Sequence, residues 1–458
     1  MTLAPPQIHS APLGKTAHAK AVLTLGLPII GSHLAQMALH VTDTVMLGWY
    51  GVTELAAVVL GASAFFIVFI LGSGFGQAIL PMVAQALGRK DETQVRRDTR
   101  MGLWLSFLFG AACYPIFWWS GPILLALGQQ PDVSALAQEY LRIAGFGMIP
   151  ALLVMALKSY LSALERTQVV LWITLAAAVA NAGINWMLIF GNWGAPELGV
   201  TGAAIASVLT QVLTVVALGL YAHWQPALRR FNLFQRFWRP DWQAMGQVFR
   251  LGWPIGLTGL AEGGLFQASA LMMGWIGTIE LAAHGIALEV TALAFMVHLG
   301  LSNAATIRVA NATGRDDAQG LRDGAMVALA LSLGFGVSMV VLFLTLPEQI
   351  VSLFLDPGNP DTGAIIAFGT VLLALSALFQ MVDATQVMAL GFLRGLKDTR
   401  APMWIATLSY WVIGIPISYA LAFPLGSGGV GLWLGLTVGL SVAALLLMLR
   451  FWAKVRKS

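Results

Sequence analysis

Uncharged apolar stretches of about twenty residues recur along the whole 458-residue chain, and they limit its fold more than any other feature. A helix needs about 20 apolar residues to cross the hydrocarbon of a bilayer. Within lipid every backbone polar group must be paired internally, so only helices or closed barrels can span it. The runs near 21–42, 55–80, 101–127, 140–163, 169–191, 199–222, 251–276, 281–307, 324–346, 363–393, 402–424 and 428–449 are all of helix length. Charged residues make up 10% of the chain, against about 25% in an ordinary soluble protein. The sequence therefore predicts an all-α polytopic membrane protein with twelve transmembrane helices.

The net charge of +4 and isoelectric point near 9.3 come from where the basic residues lie, and they give no reason to expect a nucleic-acid partner. Basic residues fill alternate connections: 88–100, Arg166, Arg229 to Arg239, Arg308 to Arg322, Arg394 to Arg400, and the end of the chain. The other connections, near 48–53, 128–138, 192–198, 346–362 and 424–429, contain no Lys or Arg. This is the positive-inside pattern, and it predicts an inner-membrane protein with both termini in the cytoplasm. Arg142 departs from it, and Lys158 is expected to snorkel to the inner surface. The first residues show no signal-peptide core followed by a cleavage site, so the first crossing is expected to remain as an anchor.

The chain also repeats itself. "LGLP" (25–28) matches "LGWP" (251–254), "MLGWYGVTELAA" (46–57) matches "MMGWIGTIELAA" (272–283), and "GRKD" (88–91) matches "GRDD" (314–317), all at one offset of 226. Six crossings per half return the chain to its starting side. The halves should then be two six-helix bundles related by a pseudo-two-fold axis along the membrane normal, an arrangement that places substrate near the midplane between repeats. The expected organisation is a flexible cytoplasmic N-terminus (1–20), an N-terminal bundle (21–222), a cytoplasmic linker (223–250), a C-terminal bundle (251–450) and a basic cytoplasmic tail (451–458).

Four acids fall inside the apolar runs: Asp43, Glu262, Glu289 and Asp383. An ionised side chain at a helix centre costs about 2.5–3.5 kcal/mol on insertion scales, so such residues ordinarily face a cavity or a partner. Spacings of three and four residues put His33, Gln36, His40 and Asp43 on one stripe. They also align Glu262 with Phe266 and Ser269, Ser376 with Gln380 and Asp383, and Asn181 with Asn185. Amides and hydroxyls in such helices commonly serve only as interhelical glue, and for any one of them that is the ordinary reading. No basic residue other than Lys158 lies at the depth of the acids, so a counter-charge is expected from protons, a metal cation or a cationic substrate. Burial favours the protonated carboxyl and a bound cation favours the ionised one, which lets one site exchange an ion for a cationic ligand.

Other features favour packing over chemistry. A lone His on an apolar face is usually a packing residue, which covers His33, His40, His284 and His298. The single Cys113 cannot form an intrachain disulfide. "GSGFG" (72–76) lacks a phosphate-loop lysine and reads as close helix packing. No nucleophile–base triad or HExxH spacing is visible, so the chain reads as a transporter and not an enzyme. Pro28 and Pro254 sit at matching places near the starts of helices one and seven.

"VTDTVMLGWYG" (41–51), "LAAHGIALEVTALAFMVHLGLSNAATIRVANATG" (281–314) and above all "FQMVDATQVMALGFLRGLKDTR" (379–400) resemble the multidrug and toxic compound extrusion (MATE) family in its NorM-like branch, over roughly residues 20–450. The resemblance implies two six-helix bundles and secondary antiport of cationic, lipophilic compounds against Na⁺ or H⁺. It places the cation-coupling residues at Glu262, Asp383, Phe266 and Asp43, with Na⁺, if sodium is the coupling ion, held by Glu262 and Asp383. It places the polar position of helix five at Asn181, followed by Asn185. Gln36, Asn181, Asn185, Gln380 and Glu289 are the expected substrate-cavity residues. Glu289 departs from the pattern, where an amide or small polar residue is more usual, and the histidines add titratable groups. The alternative is a lipid-linked oligosaccharide flippase, which would want a strongly cationic cavity. The expected partners are small cationic drugs or dyes and membrane lipid, the expected state is a monomer, and no cofactor is implied.

Overall fold

The computed structural model describes residues 14–358 and 360–456. Twelve long helices make up the fold, and no strand occurs among the described residues. In chain order they are α1 (Lys15–Tyr50), α2 (Val52–Gly88), α3 (Glu92–Trp118), α4 (Pro131–Ala163), α5 (Thr167–Phe190) and α6 (Gly199–Trp224). Then follow α7 (Trp242–Ile276), α8 (Thr278–Gly314), α9 (Ala318–Thr345), α10 (Thr362–Gly395), α11 (Arg400–Ala422) and α12 (Gly428–Val455). Eleven of these are long and apolar enough to cross a membrane. The remaining one, α7, has Glu262 and Gln267 among its apolar residues, which lowers its hydropathy.

The duplication persists in three dimensions. The bounds of α2 and α8 differ by the same 226 residues as the sequence matches, and so do the starts of α3 and α9. Asp91 and Asp317 occupy equivalent N-cap positions. Each carboxylate accepts from the backbone N–H three residues on, at 2.9 and 2.7 Å, satisfying a donor the helix start would leave free. Lys90 and Asp316 just before them both take the left-handed backbone conformation, with φ of 59° and 56°.

The helices divide into two compact units. Residues 31–257 form one, and residues 14–30 with 258–456 form the other. The division cuts α1 and α7 at repeat-related points, so the first part of each packs in the unit opposite to the rest of its helix. This differs from division at the loops. In the first unit Gly252 and Gly256 of α7 let its backbone meet Leu71 and Gly74 of α2, where an added Cβ would lie 2.3 Å from backbone oxygen. In the second unit Ile30 of α1 fills the space beside Gly300 of α8. Pro28 and Pro254 lie within three residues of the two division points, where a missing N–H weakens the helical ladder.

Element ends differ from expectation where amphipathic sequence prolongs a helix beyond its apolar run. Residues 15–20 are helical, not flexible, and residues 1–13 lie outside the described part. The linker is shorter than 223–250. Helix α7 begins at Trp242 because Ala244, Val248 and Leu251 bury against Ala78, Met82 and Met101. The tail to Val455 continues α12 with Phe451 and Val455 buried; residues 457–458 lie outside the described part.

Helix α3 clasps the linker with three side chains on one face. Arg97 pairs with the Asp241 carboxylate, Nη2 to Oδ1 at 3.2 Å, which holds that carboxyl below its usual range. Arg100 donates to the Gln235 carbonyl at 2.8 Å, and the Trp104 indole donates to the Phe237 carbonyl at 2.9 Å. Arg142, the exception to the charge pattern, has a structural task. Its Nε donates to the Trp118 carbonyl at the end of α3, and its guanidinium lies 4.9 Å from the Trp118 ring.

Candidate functional site

The second unit brings Glu262 of α7 and Asp383 of α10 within electrostatic reach of one another and of the Tyr410 hydroxyl of α11. Tyr410 lies in a π-helical segment, Ser409–Gly414, an insertion that re-aims side chains and that frequently marks functional sites. Gln386, one turn after Asp383, donates from Nε2 to the Tyr410 hydroxyl. Glu262 Oε1, Asp383 Oδ1 and Gln386 Oε1 are each buried without a hydrogen-bond partner. Buried polar atoms are ordinarily paired. All three oxygens belong to residues grouped around Tyr410, and oxygen atoms are the ligands that hard cations take. Asp383 is 2% exposed, whereas Glu262 is half-buried.

One expectation is overturned here. Arg394 continues α10 instead of lying in a loop, and its guanidinium is within electrostatic reach of both Glu262 and Tyr410. Glu262 therefore has a resident counter-charge within reach. Helical spacing contains the signal, since Arg394 stands eleven residues from Asp383, three turns along one face. Tyr410 and Gln386 were also missed; only the three-residue spacing of Gln386 from Asp383 hinted at either.

Phe266, one turn after Glu262, meets Phe379 edge-on at 6.2 Å, and Phe379 meets Trp433 at 5.6 Å. Beneath them His284 is locked in one tautomer. The Trp433 indole can only donate, so His284 Nδ1 accepts its bond at 3.0 Å. Nε2 then carries the hydrogen toward Ser269 Oγ at 3.3 Å, and Ser269 donates to the Phe266 carbonyl at 2.7 Å.

The first unit holds a second cluster. Asn185 donates to Asp43 and, at 3.0 Å, to Asn181 Oδ1; Asn181 donates to Thr210 at 3.3 Å. Asp43 is half-buried, Tyr140 lies within electrostatic reach of it, and Asn185 Oδ1 is buried without a partner. Lys158 does not snorkel away. Its ammonium donates to Gln36 Oε1 at 3.0 Å, seven residues before Asp43 on α1.

The two remaining cavity candidates are placed differently. Glu289 is on an exposed face of α8. Gln380 is fully buried and spent on interhelical bonds: Nε2 donates to the Thr291 carbonyl at 3.1 Å, which turns Oε1 toward His298 Nε2 at 3.2 Å. His298 Nδ1 pairs with Ser332 at 2.8 Å, so this histidine joins α8, α9 and α10 as packing.

The MatE family profile matches residues 28–187 and 254–420, one match for each repeat. A protein of Rhizobium meliloti (strain 1021) described as "Probable multidrug resistance protein NorM" is 48% identical over 440 residues, 96% of this chain and 94% of its own length. Another of that description, from Agrobacterium fabrum, is 44% identical over 441 residues, 96% and 95% of the two chains. The chain belongs to the MatE family. Solved MATE structures share its fold. The eukaryotic MATE transporter AtDTX14 superposes with a TM-score of 0.85 at 22% identity, covering 97% of this chain and 99% of that one. A MATE crystallised with MaL6 superposes with a TM-score of 0.87 at 19% identity, covering 96% and 97%. Both MatE matches include candidate acids: Asp43 falls in the first, and Glu262 and Asp383 in the second.

Proposed function

We propose that this chain is a multidrug efflux transporter that works as a secondary antiporter. It expels cationic, lipophilic compounds in exchange for Na⁺ or H⁺ by alternating access. It acts as a monomer in the inner membrane with both termini in the cytoplasm. The efflux part of this reading draws on the description of its NorM relatives. The observation that carries the coupling part is the set of unpartnered oxygens on Glu262, Asp383 and Gln386, close to Tyr410. A small cation or a proton supplies what those oxygens lack, and Arg394 competes for the same negative charge. Occupation by the ion then weakens the attraction between Arg394 and Glu262, and the balance of charge around α7, α10 and α11 changes. Asp43, with Asn185 and Asn181, serves as the corresponding acid for substrate contact in the other unit.

The test is dye efflux from vesicles carrying the protein, driven separately by an imposed Na⁺ gradient and an imposed pH gradient. At least one gradient should drive export. Glu262→Gln and Asp383→Asn should each abolish that export while inserting at wild-type levels. Undiminished export in both variants would remove the site assignment.

A further inference from the structure

The linker between α6 and α7 has two unlike faces. Leu228, Phe231 and Leu233 are buried and anchor it, and the α3 clasp fixes its carbonyls. On the other side Trp224, Phe234, Trp238 and Trp242 are exposed, Trp238 and Trp242 at 74% each. Aromatic rings of this kind concentrate where protein meets the membrane interface. The neighbouring acids are already engaged. Glu92 lies 3.5 Å from Arg230, and Asp241 is taken by Arg97. Among the described residues no carboxylate pairs with Arg229, Arg236 or Arg239.

A cavity of about 410 Å³ opens between the end of α6 and this linker. Arg229, His223, Asn232 and Gln235 supply its polar lining, and Leu233 and Phe234 its apolar wall. An exposed apolar stripe on α6 leads up to it: Leu209, Leu213, Val216 and Leu220. Their spacing of four, three and four residues continues by three to His223, so all share one helix face. At about 1.5 Å per residue the stripe down to Leu209 is about 21 Å long, longer than the ~15 Å of one hydrocarbon leaflet.

We propose that this cavity is a binding site for an anionic phospholipid. The phosphate and the polar headgroup sit against Arg229, Asn232 and Gln235, and an acyl chain lies along the α6 stripe. Two observations fix the occupant as a lipid and not a free anion. The polar cavity is continuous with an apolar track, and exposed tryptophans flank it. The excess positive charge selects a headgroup with net negative charge over one whose ammonium neutralises the phosphate.

The site can be tested on the full-length protein in detergent by following Tm while titrating phosphatidylglycerol, phosphatidylcholine or inorganic phosphate. Phosphatidylglycerol should raise Tm saturably, and the other two should not. Arg229→Gln should weaken the apparent affinity about fivefold, the size of one basic contact at an anionic surface. Arg456→Gln, a change of the same kind at the exposed end of α12, should leave it unchanged. Equal stabilisation by phosphatidylcholine would overturn the proposal. So would competition by inorganic phosphate, or equal affinity in the Arg229 and Arg456 variants.

Discussion

Single side chains decide whether a buried acid is tolerable. Glu262 and Asp383 lie near each other, so their carboxylates repel when both are ionised, and Arg394 favours the ionised form of Glu262. Removing one partner of such a group leaves charge uncompensated, at a cost of about 1–3 kcal/mol or more. Arg394→Gln is expected to lower the thermal stability of the solubilised protein by that amount. Adding Glu262→Gln should recover part of the loss, because the charge left uncompensated is gone. Strict additivity of the two changes in a double-mutant cycle would show that Arg394 and Glu262 do not interact. The acids were legible in the sequence because a charge in an apolar run stands out. Arg394 was not, because it sits at the end of such a run, where a loop arginine and a helical one look alike.

At the scale of elements, glycine sets how closely helices approach. Gly72, Gly74 and Gly76, the "GSGFG" stretch, face Phe109, the α7 backbone and Met155 with Ala156 respectively. Their spacing of two residues turns successive glycines toward different neighbours, as the packing reading of that stretch requires. A methyl group at Gly74 would press on Gly252 and Gly256, where backbone cannot yield as a side chain tip can. Gly74→Ala is expected to destabilise by about 1–3 kcal/mol, as overpacking does. Gly285→Ala, with open space around it, should be close to neutral. A thermal melt of both variants checks this, and equal behaviour would reject the packing account. Helix existence was readable from hydropathy throughout. Helix ends were not, because α1, α7 and α12 continue through amphipathic turns whose burial depends on neighbours far away in sequence.

The whole molecule is a duplicated body whose halves have diverged in charge. The two repeats keep matching helix bounds and matching caps, yet Gln36 corresponds to Glu262 and Asp43 to Ser269. Each repeat thus holds an acid at a different depth of its first helix. The orientation predicted by the basic loops can be tested with a Cys113→Ser background and single cysteines at Asn192 or Arg236. A membrane-impermeant thiol reagent applied to intact cells should label position 192 and spare position 236. The reverse pattern would invert the topology.

Sequence by itself determined what depends on short range and on period. Run length requires membrane helices, loop charge predicts their orientation, and the common offset reveals the duplication. It also marked the acids, because the cost of placing them in lipid is a property of the residue and its immediate run. Tertiary structure alone decided which groups meet those acids. Tyr410 reaches the site through a π-helical segment, and Arg394 comes within reach of Glu262 three turns along α10 from Asp383; Lys158 meets no acid and turns instead to Gln36 on another helix. Contacts between helices depend on rotation and close approach, and hydropathy carries no record of either.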